Sequence, residues 1–302
     1  MYLDHFKFKE APFGLTPNTE FFCQLKGYHE ALNVLLYSLR SGEGFTKIVG
    51  EVGTGKTLLC RKLLDNFADE FVTAYIPNPD LNPIELRKAL ASELGIPSVQ
   101  LQDQHELITL INNQLLEFHR VNRRVILLID EAQAIPSESL EALRLLTNLE
   151  TEKHKLLQVV LFGQPELDER LNLPQFRQLK QRISFSYYLP TLSRDELDVY
   201  LIHRLAAAGY SMGSLFTKKA KDKLFRASKG VPRVINTLCH KALLVAYGEG
   251  KLSITHKIMQ RALKDTETAI ISTSRPVLIL LMVELGILIA ITVFFYIYMG
   301  II

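Results

Sequence analysis

An apolar run, Phe45–Val49, leads straight into Gly50-Glu51-Val52-Gly53-Thr54-Gly55-Lys56-Thr57, and a helical pattern follows at once. The spacing is GxxxxGK[ST] in a strand–loop–helix setting, and it leaves few folds open, because the loop works only where a strand ends at a helix N-terminus. Glycines let backbone N–H groups converge on an anion, and the helix dipole adds a favourable field. The segment reads as a phosphate cradle formed by Gly50, Gly53, Thr54, Gly55, Lys56, Thr57 and Leu58. In that cradle Lys56 would reach the β- and γ-phosphates of ATP, and the Thr57 hydroxyl would ligate Mg2+.

A second motif belongs with the first. The apolar run 125–129 ends in Asp130-Glu131. A strand buried on both faces reads as continuous apolar sequence, and its C-terminal end lies beside the phosphate loop in an open α/β sheet. Asp130 would hold the Mg2+, and Glu131 would orient or deprotonate the attacking water. ATP hydrolysis is therefore the expected chemistry. The tetrad Asp130-Glu131-Ala132-Gln133 also looks like a helicase motif. Helicases of that kind need a second nucleotide-binding domain downstream, and too few residues remain for one.

The rest of the soluble part alternates. Helical patterns at 29–39, 55–68, 83–94, 104–119, 137–149 and 175–182 separate five strand-like runs at 45–49, 71–76, 125–129, 156–162 and 184–189. This predicts an α/β fold with a parallel, doubly wound sheet. After Pro190 the pattern changes: Ser193-x-x-Glu196 is a capping-box start, and only helical periodicity follows to Lys264. The predicted organisation is a P-loop nucleotide-binding α/β domain at 1–190, a small helical lid at 191–265, a connector at 266–276 and a transmembrane helix at 277–302.

That last segment lifts mean hydropathy to +0.11 and carries only one charge, Glu284. As a helix it would be about 39 Å long, against a hydrocarbon core of about 30 Å. Arg261, Lys264 and Arg275 precede it, so the positive-inside rule places residues 1–275 in the cytoplasm, on a single C-terminal membrane span. The first residues lack an apolar h-region, and no signal peptide is expected. Hydrophobic residues at 48% and charged residues at 22% exclude a disordered chain. Three scattered cysteines, Cys23, Cys60 and Cys239, argue against a disulfide scaffold or a zinc site. The net charge of +3 makes no case for nucleic acid by itself. Basic clusters at Arg120, Arg123 and Arg124, and at Lys218, Lys219, Lys221 and Lys223, read as solvated helix faces, so no nucleic-acid partner is expected.

With these residues in view, the chain resembles the AAA+ P-loop ATPases over roughly residues 10–265. The resemblance implies that Gln164, in Gly163-Gln164-Pro165-Glu166-Leu167, stands at the sensor-1 position. Arg182, in Leu179-Lys180-Gln181-Arg182-Ile183, resembles an arginine finger, with Arg177 as the fallback, and Arg233, in Gly230-Val231-Pro232-Arg233, resembles the sensor-2 arginine of the lid. Within that group the runs Pro12-Phe13-x-Leu15-Thr16-Pro17, Tyr28-His29-x-Ala31-Leu32, LFGQPEL, LKQRI and KGVPRVIN resemble the general secretion pathway protein A ATPases, in particular those of MSHA-type pilus biogenesis. This implies a homo-oligomer, expected as a ring. It also implies a place at a bacterial inner membrane, with inner-membrane components of a type IV pilus or a secretion machine as expected partners. Relatives of the group carry a peptidoglycan-binding domain after the span, which is not expected here because the sequence stops at Ile302. ATPases of exopolysaccharide export or exosortase systems share the same motifs and remain an alternative. A DNA-binding transposition-type ATPase is a third reading.

Overall fold

The computed structural model of the chain describes residues 2–67, 71–97, 104–152 and 154–266. Five strands, β1 (Phe45–Val49), β2 (Phe71–Ile76), β3 (Arg124–Ile129), β4 (Leu157–Gly163) and β5 (Ile183–Tyr188), form one sheet in the order β2-β3-β4-β1-β5, with every neighbouring pair parallel. Burial explains the order. Every residue of β4 and all but the first of β3 are buried, as central strands covered on both faces require, whereas β5 alternates between half-buried and exposed, as an edge strand does. Because β1 lies between β4 and β5 while β2 sits at the far edge, the direction of winding reverses beside β1. The crevice for a ligand opens at the C-terminal ends of the strands there.

Twelve α-helices accompany the sheet among the described residues: α1 (Tyr2–Phe6), α2 (Lys26–Ser41), α3 (Lys56–Phe67), α4 (Pro83–Glu93), α5 (Gln104–Arg120), α6 (Ser137–Leu146), α7 (Pro165–Leu171), α8 (Arg177–Arg182), α9 (Arg194–Ala207), α10 (Lys218–Ser228), α11 (Pro232–Gly248) and α12 (His256–Lys264). Alternate side chains of a strand point to opposite faces. Ile126 and Leu128 of β3 and Val160 and Phe162 of β4 accordingly pack with Leu35 and Leu39 of α2 and Leu59 and Leu63 of α3. Val125, Leu127 and Ile129 pack on the other face with Leu86 and Leu90 of α4, Ile111 and Leu115 of α5 and Leu143 of α6.

Helices α9 to α12 form a small bundle. It opens on a complete capping box, in which the Ser193 hydroxyl accepts from Glu196 N and the Glu196 carboxylate accepts from Ser193 N at 2.8 Å. The first core continues through this bundle, so the sheet and the bundle share apolar surface.

The beginning of the chain packs into this shared core. Phe6, Phe8, Phe13, Phe21 and Phe22 are buried in the core shared with the bundle, where Phe8 packs tilted against Tyr210 and Phe13 meets Phe216 edge to face. Lys9 N donates to Ala208 O at 2.9 Å. Five aromatic side chains in so short a stretch need an apolar partner, and the bundle supplies it.

Differences from the sequence reading lie at element ends. The helix read at 175–182 begins at Arg177 after a 3-10 turn, that at 29–39 begins at Lys26, and that at 137–149 stops at Leu146. The short helices α1 and α7 had no periodicity long enough to be read.

The placement in a bacterial inner membrane by a C-terminal transmembrane helix is corrected. No helix among the described residues is long and apolar enough to cross a membrane. The longest of them, α5 and α11, have 17 residues each, whereas a span needs about 20 predominantly apolar ones. The run 277–302 that suggested the span lies outside the described residues, as does the connector beyond Thr266.

Candidate nucleotide site

The end of β1, the start of α3 and the ends of β3 and β4 converge on a cavity of 340 Å³. Lys56, Thr57, Leu58, Gly53, Gly55, Glu131, Gln164 and Arg233 line it. The loop that shapes it depends on glycine at two places. Gly53 (φ +80°) and Gly55 (φ +97°) lie in the left-handed region, and a Cβ at either would fall 2.6 Å from Arg233 Cβ or 2.7 Å from the Tyr28 hydroxyl. Tyr28 uses that close approach to donate its hydroxyl to Thr54 O at 2.5 Å, from a buried position.

Lys56 is 6% exposed, and its ammonium donates to Gly50 O at 2.7 Å and Glu51 O at 2.9 Å. Burial pulls its pKa below the ordinary lysine value, opposed by the carboxylates of Glu131 and Asp130. Asp130, 3% exposed, accepts from the Thr57 hydroxyl at 2.5 Å through Oδ2 and from Glu131 N at 2.9 Å through Oδ1. Burial pushes its pKa up although both hydrogen bonds favour the carboxylate. Two hard oxygen donors side by side, one of them an anion that burial penalises, are a donor set that fits Mg2+. A cation there would offset the cost of burying the charge.

Glu131 stands at the turn out of β3 with φ +50° and ψ +39°, a left-handed backbone carried by a non-glycine residue. Such backbone persists only where the surroundings hold it. Its Oε2 accepts from Gln164 Nε2 at 2.9 Å and from Gln133 Nε2 at 2.5 Å, and Gln164 N in turn donates to Gln133 Oε1 at 3.0 Å. Arg233 opens α11 next to the phosphate loop, with its backbone N donating to Gly53 O at 3.1 Å. The helical bundle is thus tied to the loop by the main chain as well as by the shared cavity.

Arg182 is not brought to this cavity within its own chain. Its guanidinium donates to Arg144 O at 2.8 Å and to Thr147 Oγ1 at 3.2 Å, at the end of α6. Arg177, the fallback, is exposed at the start of α8.

Sequence reasoning missed five contributors. The stretch Gly14 to Asn18 forms a wall of the cavity, and Arg204 of α9 holds it by donating to Pro12 O at 2.7 Å and Gly14 O at 3.2 Å while stacking over the Phe21 ring at 4.5 Å. Tyr28, Arg204 and Asn236 are buried polar residues on apolar helix faces. That is the signal that could have marked them, because such groups need partners. Gln133 was noticed only as part of a motif that belonged to another reading. No group of three or more His, Cys, Asp or Glu side chains placed to hold a metal ion occurs among the described residues.

Comparison with known proteins agrees with this geometry. Residues 39–171 match the family model described as an AAA domain. General secretion pathway protein A of Aeromonas hydrophila is 43% identical over 256 residues, which are 85% of this chain and 47% of that protein. The chain therefore spans about half the length of the curated relative it matches. Among solved structures, the ORC2 protein of Aeropyrum pernix in ADPNP-ADP complexes is similar at TM-score 0.61 and 19% identity, over 86% of this chain and 74% of that one. Cdc6p of Pyrobaculum aerophilum is similar at TM-score 0.62 and 16% identity, over 83% and 71%. Drosophila ORC bound to DNA is similar at 0.59 and 19%, over 87% and 64%. At these identities the likeness is one of fold, a P-loop α/β fold of the AAA type.

Proposed function

We propose that this chain hydrolyses ATP and spends it to drive or regulate assembly of a type IV, MSHA-like pilus or a secretion machine, a reading supported by its matches to an AAA domain model and to general secretion pathway protein A. The observation that carries the chemistry is the single cavity that Lys56, Thr57, Glu131, Gln164 and Arg233 share. In this reading the triphosphate lies along the loop, with Lys56 on the β- and γ-phosphates. Thr57 and Asp130 hold Mg2+, which when bound neutralises charge on the phosphate oxygens. Glu131 accepts the proton of the attacking water, Gln164 bonds the γ-phosphate or that water, and Arg233 closes the lid over the phosphates. The 191–265 segment is the lid and 1–190 the nucleotide-binding part, with the start of the chain strapped onto the lid.

The assembly role rests on the secretion homologue. In cells of the source organism, replacing the chain by its Lys56→Ala form should remove surface pili or secreted substrate, with the variant present at normal abundance. Intact pili and secretion in such cells, or loss of exported polysaccharide instead, would overturn it.

The same reading makes the protein a homo-oligomer in which Arg182 acts on a neighbour's nucleotide. Its bonds to Arg144 O and Thr147 must then exchange for a phosphate when a second copy docks. Arg182→Ala should bind ATP normally and hydrolyse it poorly. Mixed with Lys56→Ala, it should regain activity at interfaces where an intact arginine meets an intact loop. An equal loss in a protein that stays monomeric in light scattering makes Arg182 structural.

A further inference from the structure

We propose that Gln133 is a positioning residue for hydrolysis, fixing the Glu131 carboxylate and joining it to the γ-phosphate sensor at Gln164. The inference rests on the reading of Glu131 as the group that takes the water's proton.

Residues two apart on a regular helix do not face one another. Here the left-handed backbone at Glu131 turns the chain back on itself, and Gln133 lies in the 3-10 turn that follows, Ala132–Ala134. The two side chains therefore converge, and Gln133 Nε2 donates to Glu131 Oε2 at 2.5 Å. The other end of the same amide is also used, since Gln133 Oε1 accepts from Gln164 N at 3.0 Å. Gln164 then returns to the carboxylate through its own amide at 2.9 Å. The result is a closed loop of three hydrogen bonds across the ends of β3 and β4.

Two features give the loop a catalytic meaning. Both amides load the same carboxylate oxygen, Oε2, which fixes the rotamer and reserves Oε1 for the water proton. Gln133 itself is held from behind, because Arg170 of α7 donates to Gln133 O at 2.5 Å. A glutamate carboxylate has three rotatable bonds, and a small misplacement of a reacting group is costly to rate. The surrounding charges do not fix it in this way. Asp130, the neighbouring acid, turns its oxygens to Thr57 and to Glu131 N, and Lys56 donates to the loop carbonyls. Gln133 and Gln164 thus hold the carboxylate, and Gln133 also fixes Gln164 by accepting from its backbone N–H.

The test is a mutant cycle read by steady-state ATP hydrolysis in the full chain with Mg2+. Gln133→Met keeps the shape and removes both hydrogen bonds. It should lower kcat about 10-fold and leave KM and ATP affinity within about twofold. Added to Glu131→Gln, it should cost nothing more, because the group it positions no longer takes a proton. Gln133→Glu, which sets a second carboxylate against Glu131, should lose at least as much as Gln133→Met. Equal losses from Gln133→Met in both backgrounds, or a fall in ATP affinity alone, would show a purely structural role. Wild-type kcat in Gln133→Glu would equally overturn the proposal, and it would do so even if the Met variant failed to fold. Wild-type and Glu131→Gln proteins are read in the same assay. Equal turnover in those two unseats Glu131 and the reading beneath, whereas a slow Glu131→Gln beside a normal Gln133→Met unseats Gln133 alone.

Discussion

Glu131→Gln protein should bind ATP with unchanged affinity and turn it over about 100- to 10,000-fold more slowly, the range that loss of a positioned general base produces. The substitution removes the basic oxygen and little else. The glutamine fits the same space, and the loop, Lys56 and Asp130 keep their hydrogen bonds to one another. Its carbonyl oxygen can still accept from Gln133 and Gln164 in place of Oε2, so the left-handed turn at residue 131 is retained. Single-turnover hydrolysis with labelled ATP separates the two quantities, with nucleotide retained on a filter giving binding and released phosphate giving chemistry. Turnover at the wild-type rate would move the catalytic role away from Glu131. Slow turnover together with lost binding would mean that the carboxylate serves the architecture of the site.

How much of this was legible in the sequence follows from how local each signal is. The phosphate loop and the acids that end β3 are contiguous motifs flanked by apolar runs, so a linear reading finds them and infers the parallel sheet between them. The order β2-β3-β4-β1-β5 brings the two motifs together, because β4 alone separates β1 from β3. Gln164 was singled out through the family resemblance, but its partnership with Glu131 could not be read. Residues 131 and 164 meet only once strand register is set. Gln133 escaped for a subtler reason. Its contact with Glu131 depends on a left-handed backbone at a glutamate, and no propensity assigns that conformation to this residue type. Arg204 and the stretch before α2 were missed because they meet across 190 residues or more, through backbone carbonyls that carry no sequence signature. Arg182 shows the opposite case. Its motif was visible, yet its guanidinium goes to Arg144 O and Thr147 Oγ1 rather than to the cavity, the placement expected under the proposal that it acts on a neighbouring copy.

The second large effect is expected at Lys56. In Lys56→Ala protein, ATP affinity should fall by at least about 100-fold, the equivalent of two charge-assisted hydrogen bonds at about 1.5–3 kcal/mol each. Lys56 is the only lysine or arginine among the residues that form the loop itself, and it is nine-tenths buried. Burial already penalises its charge, as the lowered pKa records. Phosphate oxygens would repay that penalty by pairing with the ammonium where water cannot compete. Alanine removes the charge and also strips Gly50 O and Glu51 O of the donor they share, so the loop could distort for reasons unrelated to ATP. Lys56→Met separates the causes, since it fills the same channel without a charge. If affinity depends on charge, isothermal titration with ATP should show similar losses for both variants, while thermal unfolding without nucleotide shows Lys56→Met to be the more stable of the two. ATP affinity within about threefold of wild type in Lys56→Met would mean that the backbone N–H groups of the loop and the α3 N-terminus hold the phosphates by themselves.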